Sequence, residues 1–166
     1  MADSVFKSIL DAVKTTITAL ELEDIADASV KIVDYPPETI ESCLITLPGV
    51  LIVHYVDLQT DKTKRTCQRD DIGYPGVISL FDCKGEPTSD DYNEEVSGAT
   101  FDRNAVWQER VRKAFHNVRD WASGIDSVIE SYIERGNTRD PNLRKIQNLD
   151  AKALYLRVIS REARTA

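Results

Sequence analysis

Leu149 to Ile159 constrains the fold more than any other stretch of this chain. Read at the two-residue period of a β-strand, it places Leu154, Leu156 and Val158 on one face and Ala153, Tyr155 and Ile159 on the other. A strand apolar on both faces suits the centre of a sheet that is packed on both sides. Val50 to Val56 reads in the same way. Proline and glycine punctuate the runs before it: Pro48-Gly49 separates it from the apolar run Cys43 to Leu47, giving a bent strand or two strands meeting at a turn. Ser29 to Val33 alternates polar and apolar until Tyr35-Pro36-Pro37, where proline has no donor to continue a ladder. Asp57 to Lys64 reads as a polar turn, Thr66 to Arg69 as a strand continuation, and Tyr74-Pro75-Gly76 as a turn before the strand Val77 to Phe81.

Two helices complete the pattern. From a candidate N-cap at Asp3 or Ser4, apolar residues fall at Val5, Phe6, Ile9, Leu10, Val13, Ile17 and Leu20, the spacing of one helix face. The acidic link Glu21 to Asp27 follows. A second helix opens at Asp102, with Trp107, Val111, Ala114, Phe115 and Val118 as its stripe and Arg103, Arg110, Arg112, Lys113 and Arg119 outside it. Gly124 closes that unit, and the β-branched run Ile125 to Ile133 reads as a strand. Lys84 to Ala99 and Gly136 to Asn148 have the composition of exposed loops, and Arg161 to Ala166 that of a tail that frays or is ordered by a partner. The expected architecture is α+β: one domain over residues 1–166, a mostly antiparallel sheet of about five strands, and two helices on one face.

Composition narrows the class. At 166 residues the chain is long enough to bury a core without disulfide or metal staples, and 42% apolar with 30% charged residues describes a soluble globular protein. No apolar run approaches the length of a membrane span, and MADSVFKSIL lacks a secretory leader pattern, so intracellular synthesis is expected. Cys43, Cys67 and Cys83 are odd in number and widely spaced, which suits three thiols and not a disulfide framework. The net charge of -7 divides unevenly: residues 1–100 carry 8 basic and 19 acidic side chains, and residues 101–166 carry 13 and 9. An acidic total argues against a dedicated binder of nucleic acid or anionic membrane. Regions of opposite sign can meet across a subunit contact, the ordinary alternative being a solvated surface.

Motifs with a defined phosphate, nucleophile or metal mechanism are absent from the sequence. His54 sits inside a strand run and reads as a satisfied core histidine, while His116 follows the second helix stripe and reads as a surface residue. Cys43, Cys67 and Cys83 with one histidine lack the paired spacing of a zinc site. Asp71 followed by Asp82-Cys83-Lys84 is the best enzyme lead, an acid before an acid-x-Lys unit as in Mg²⁺-dependent nucleases, with a strand-closing turn as the plainer reading. Asp90, Asp91, Glu94 and Glu95 read as a solvated acidic loop before a calcium site. Trp107 and Phe115 are core residues, and Tyr35 beside its prolines is a candidate partner anchor. No catalytic, cofactor or metal residue is assigned.

Three blocks taken in order, Asp70-Asp71-Ile72-Gly73-Tyr74-Pro75, then Trp107 to Phe115, then Leu154 to Ser160 with Arg161-Glu162, resemble the tail-terminator or tail-completion proteins of long-tailed bacteriophages. The resemblance implies a non-catalytic virion subunit that forms a hexameric ring, caps the tail tube and meets the neck connector on its other side. Genome DNA would pass the lumen without specific binding, and assembly would take place in the host cytoplasm without a membrane. A ring needs unlike surfaces on neighbouring copies. The subunit-contact candidates are therefore the cations Arg103, Arg110, Arg112, Lys113 and Arg119, the acids Asp90, Asp91, Glu94 and Glu95, and Arg161 and Arg164 of the tail. The long acidic loop departs from the family pattern; lining a lumen, it would repel the DNA backbone. A neck or stopper layer, the Mg²⁺-dependent nuclease and a monomeric host-side adaptor remain as alternatives.

Overall fold

The computed structural model describes residues 4–33, 47–53, 61–65, 69–83, 98–134 and 149–163. The chain runs α1 (Val5–Ala19), β1 (Val30–Val33), β2 (Gly49–Val53), β3 (Asp61–Arg65), β4 (Arg69–Cys83), α2 (Gly98–Phe115), β5 (Val128–Glu134) and β6 (Leu149–Ala163). All six strands share one sheet in the order β1-β2-β4-β6-β5, with β3 also paired to β4. Among the described residues only β1 and β2 run parallel; the other pairs are antiparallel, as expected for a mostly antiparallel α+β sheet. No helix among the described residues is long and apolar enough to cross a membrane.

The ribbon of β4 and β6 is the backbone of the sheet, fifteen residues paired from Arg69↔Ala163 to Cys83↔Leu149. Cross-strand partners share a face, so the register sorts the core. Val50, Ile52, Ile78, Leu80, Leu154, Leu156 and Val158 fall on the helix side and join Ile9, Leu10, Val13 and Ile17 of α1 with Trp107, Val111 and Phe115 of α2. Leu51, Val53, Val77 and Phe81 form a smaller buried cluster on the opposite face. Every residue of β2 is buried, as its apolar run predicts.

Several expectations are corrected. Tyr74-Pro75-Gly76 is not a turn before a strand but the middle of β4. On one side of β4, β3 pairs with Asp70 to Gly73 and β2 with Val77 to Phe81, which leaves residues 74–76 with a described partner only in β6. That interval tolerates proline, which has no amide to offer a second neighbour. The polar stretch Asp57 to Lys64 contributes β3 from Asp61, an edge strand that needs no apolar face. Thr66 to Gln68 lie outside the described residues, as do Cys43 to Thr46, His54 to Val56 and the loop Gly136 to Asn148. The loop at 84–99 ends early, because Gly98 and Ala99 already belong to α2. Likewise the tail at 161–166 does not fray from Arg161: β6 continues to Ala163 against the start of β4.

The second helix stops at Phe115, short of Val118 and Arg119. Asn117 adopts a left-handed conformation with φ 58°, a common helix terminator, and the last turn holds Arg112 and Lys113 where the helix dipole favours cations. Gly124, with φ 117°, instead shapes the later turn into β5, which starts at Val128 and not at Ile125.

Candidate interaction surface

The five cations assigned to the second helix separate once the chain is folded. Arg103 grips Asp82 of β4, with Nε 3.1 Å and Nη2 2.7 Å from the carboxylate, while Nη1 reaches Asp24 of the acidic link at 2.6 Å. The guanidinium also lies over the Trp107 ring, 5.4 Å from its centroid. The contact with buried Asp82, more than that with Asp24, holds the Arg103 pKa above its ordinary value. Arg110 donates towards the carbonyls of Leu20 and Glu21, at the C-terminal end of α1. Lys113 pairs with Glu109 one turn away on the exposed surface, which lowers the Glu109 pKa. Arg119 reaches the Asp126 carbonyl from outside the helix. The Arg112 side chain is exposed and makes no ion pair or hydrogen bond among the described residues. Opposite charges of the two halves of the chain thus meet within one molecule at Arg103.

They meet again at the far end of the central ribbon. Arg161 of β6 is the register partner of Asp71 in β4 and holds it bidentately, at 2.7 and 2.9 Å, on the face away from the helices. That hydrogen bond and the charge of Asp71 raise the Arg161 pKa. On the helix face of the same ribbon, the Tyr74 hydroxyl donates to Glu162 at 2.5 Å and its ring stacks on Phe6 of α1, with centroids 5.2 Å apart. Burial first, then the bond to Glu162, pushes the Tyr74 phenol above its ordinary range. Beside Arg161 the register slips between Val128 and Glu130, so Ile129 is the extra residue of a bulge in β5. A concavity of about 540 Å³ opens there, lined by Asp71, His116, Asn117, Ile129, Glu130, Tyr132, Ile159 and Arg161.

The outer edge of β5 is closed by the residues that follow α2. Asn117 N–H donates to the Ser131 carbonyl at 2.8 Å, and Ile133 N–H donates to His116 Nδ1 at 3.2 Å. Ser131 Oγ lies 2.7 Å from the Phe115 carbonyl and accepts Trp121 Nε1–H at 2.9 Å, while Trp121 sets its ring edge-on to Phe115. His116 is therefore half-buried and structural, not the surface residue its position suggests. The sequence singles out neither Asn117 nor Ser131, and names Glu162 only as part of the block that resembles tail terminators; Asn117, two residues past the end of α2 at Phe115, carries a local signal as a residue that tolerates the left-handed conformation.

The nuclease lead does not survive this geometry. Asp71 and Asp82 sit at odd and even positions of β4, hence on opposite faces, and roughly 36 Å apart along an extended strand. Each is gripped by its own arginine. No group of three His, Cys, Asp or Glu side chains gathers among the described residues. Tyr35, Cys43, His54, Cys67, Lys84, Asp90, Asp91, Glu94, Glu95 and Arg164 lie outside the described residues.

No protein-family model and no curated protein matches the chain. Among solved structures it is similar to a chain from the virion of a native gene transfer agent particle, at 13% identity and a TM-score of 0.47, over 98% of this chain and 100% of that one.

Proposed function

We propose that this protein is a virion subunit that forms a ring on the end of a phage-type tail tube and joins the tube to the neck. One observation carries the reading: the sequence blocks that resemble tail terminators come together in a single structural unit. Asp70 to Pro75 pairs in register with Arg157 to Glu162, the later part of the block that begins at Leu154, with Asp71 on Arg161 and Tyr74 on Glu162. Trp107 to Phe115 packs on the same sheet. In that arrangement Arg103 and Arg161 support the subunit's own fold. The contact to the next copy falls to Arg112, Lys113 and Arg119, with Asp90, Asp91, Glu94, Glu95 and Arg164 as proposed counterparts. Tyr35 keeps its place as a proposed anchor for the tube or neck protein.

The test is mass in solution by light scattering, alone and with purified tail tubes, followed by negative-stain imaging of any large species. A closed ring, free or on tube ends, is the expected result. Rings that bind connectors and ignore tubes would move the protein to a neck layer, and a monomer indifferent to both would overturn the proposal.

A further inference from the structure

We propose that His116 is a proton-controlled closure of the β5 edge, shut while the imidazole is neutral and released when it is protonated. In the order β1-β2-β4-β6-β5, β5 is an outer strand. Its outward-facing groups include the Ser131 carbonyl and the Ile133 amide, and the chain after α2 answers them as a neighbouring strand would. Asn117 supplies the donor through its backbone, but the acceptor is a side-chain nitrogen, His116 Nδ1 at 3.2 Å. A ring nitrogen that accepts a hydrogen bond carries no proton, so the neutral imidazole holds its hydrogen on Nε2. Protonation places a hydrogen on both nitrogens, and Nδ1 then opposes the Ile133 N–H with one of its own. A backbone carbonyl in the same place would be insensitive to pH.

The groups around the imidazole are Asp71 of β4, Glu130 and Tyr132 of β5, and Arg161 of β6, which line the same concavity. Asp71 and Arg161 offset one another as a bidentate pair. Asn117, in its left-handed conformation, makes the adjacent rung to Ser131, so losing the His116 rung leaves one backbone bond to hold the closure on a strand edge of the kind that folded proteins keep covered.

Amide hydrogen exchange on the full chain, read by NMR while the ring signals of His116 report its own titration, tests the device. Protection of the Ile133 amide is expected to fall roughly tenfold as the imidazole gains its proton, the size of one backbone hydrogen bond, while Leu156 and Val158 of β6 keep theirs. In His116→Asn the side-chain oxygen takes the place of Nδ1 and accepts without titrating, so Ile133 stays protected across the range. In His116→Phe protection is low at every pH. The proposal is overturned if Ile133 protection is constant through the His116 titration, if the step persists in His116→Asn, or if β6 amides lose protection in parallel, which would mark global acid unfolding.

Discussion

Arg103 and Asp82 meet through a forked contact, Nε and Nη2 of the guanidinium at 3.1 and 2.7 Å from a carboxylate that is 1% exposed. The pair fixes α2 to the end of β4, and the remaining nitrogen carries the tie to Asp24 in the link after α1. Removing the arginine withdraws the forked donor from a buried charge, a change that costs about 3 kcal/mol where such pairs have been broken. Arg103→Ala should therefore lower the urea midpoint strongly, with Arg103→Lys between it and the parent because an ammonium restores charge but not the fork. Asp24→Ala removes only the exposed arm and should cost less than about 1 kcal/mol. Equal midpoints for Arg103→Ala and Asp24→Ala would show that the buried contact adds nothing.

Two buried serines should respond to alanine with opposite signs. Ser131 Oγ donates to the Phe115 carbonyl and accepts from the Trp121 indole where α2 turns towards β5; Ser131→Ala takes that donor from the buried carbonyl, while Trp121 Nε1 keeps the Val118 carbonyl at 2.9 Å, and should cost about 1–2 kcal/mol. Ser160, fully buried between β4 and β5, has no hydrogen-bond partner for its hydroxyl among the described residues. Ser160→Ala removes that desolvated group and should leave stability unchanged or raise it by up to about 1 kcal/mol. Chemical denaturation of the two variants side by side settles the contrast; a loss at Ser160 comparable to that at Ser131 would contradict it.

What the sequence made legible follows the range of the interactions concerned. Helical stripes are set by neighbours three and four residues apart, and Ile9, Val13 and Ile17 of α1 and Trp107, Val111 and Phe115 of α2 are buried as the spacing requires. The uniformly apolar β2 was equally plain. Tyr74-Pro75-Gly76 misled because its signal is local and its cause is not: the strand persists through a proline because Arg157 and its neighbours in β6, some eighty residues on, pair with it there. The candidate surface was legible only as a set of charges. That Arg161 is engaged inside the subunit depends on the register of β6 against β4, and that Arg103 is depends on where α2 packs against the end of β4; no count of basic residues contains either.

Gly76 sits where a side chain would fit. A Cβ built there meets nothing nearer than the Val53 carbonyl at 3.9 Å, and the residue borders a void of about 10 Å³ beneath Ile9, Leu10 and Val13 of α1. Gly76→Ala should stabilise the fold by about 0.4–1 kcal/mol, chiefly by restricting the unfolded chain. At Gly124 the positive φ makes the same substitution unfavourable, by roughly 1 kcal/mol or more. Thermal melts should shift in opposite directions, and a destabilised Gly76→Ala would mean that α1 cannot accommodate a methyl group.

Tyr74 makes stability depend on alkaline pH, and the sign follows from its surroundings. Burial disfavours the phenolate, and the Glu162 carboxylate both accepts the hydroxyl proton and repels the anion, so the folded state holds that proton more tightly than the unfolded state. A folded pKa above the unfolded one contributes stability that is complete below the unfolded value of about 10 and is lost as pH rises beyond it. Tyr74→Phe keeps the stack on Phe6 but forfeits the bond to a charged acceptor, so at neutral pH it should be less stable by about 1.5 kcal/mol. Above pH ~10 the parent begins to lose what the variant never had. Urea midpoints measured from pH 8 to 11 should therefore converge, the parent falling more steeply than Tyr74→Phe, because only the parent must surrender a proton to solvent when it unfolds. Parallel slopes would mean that the phenol titrates alike in both states and that the contact with Glu162 does not persist in solution.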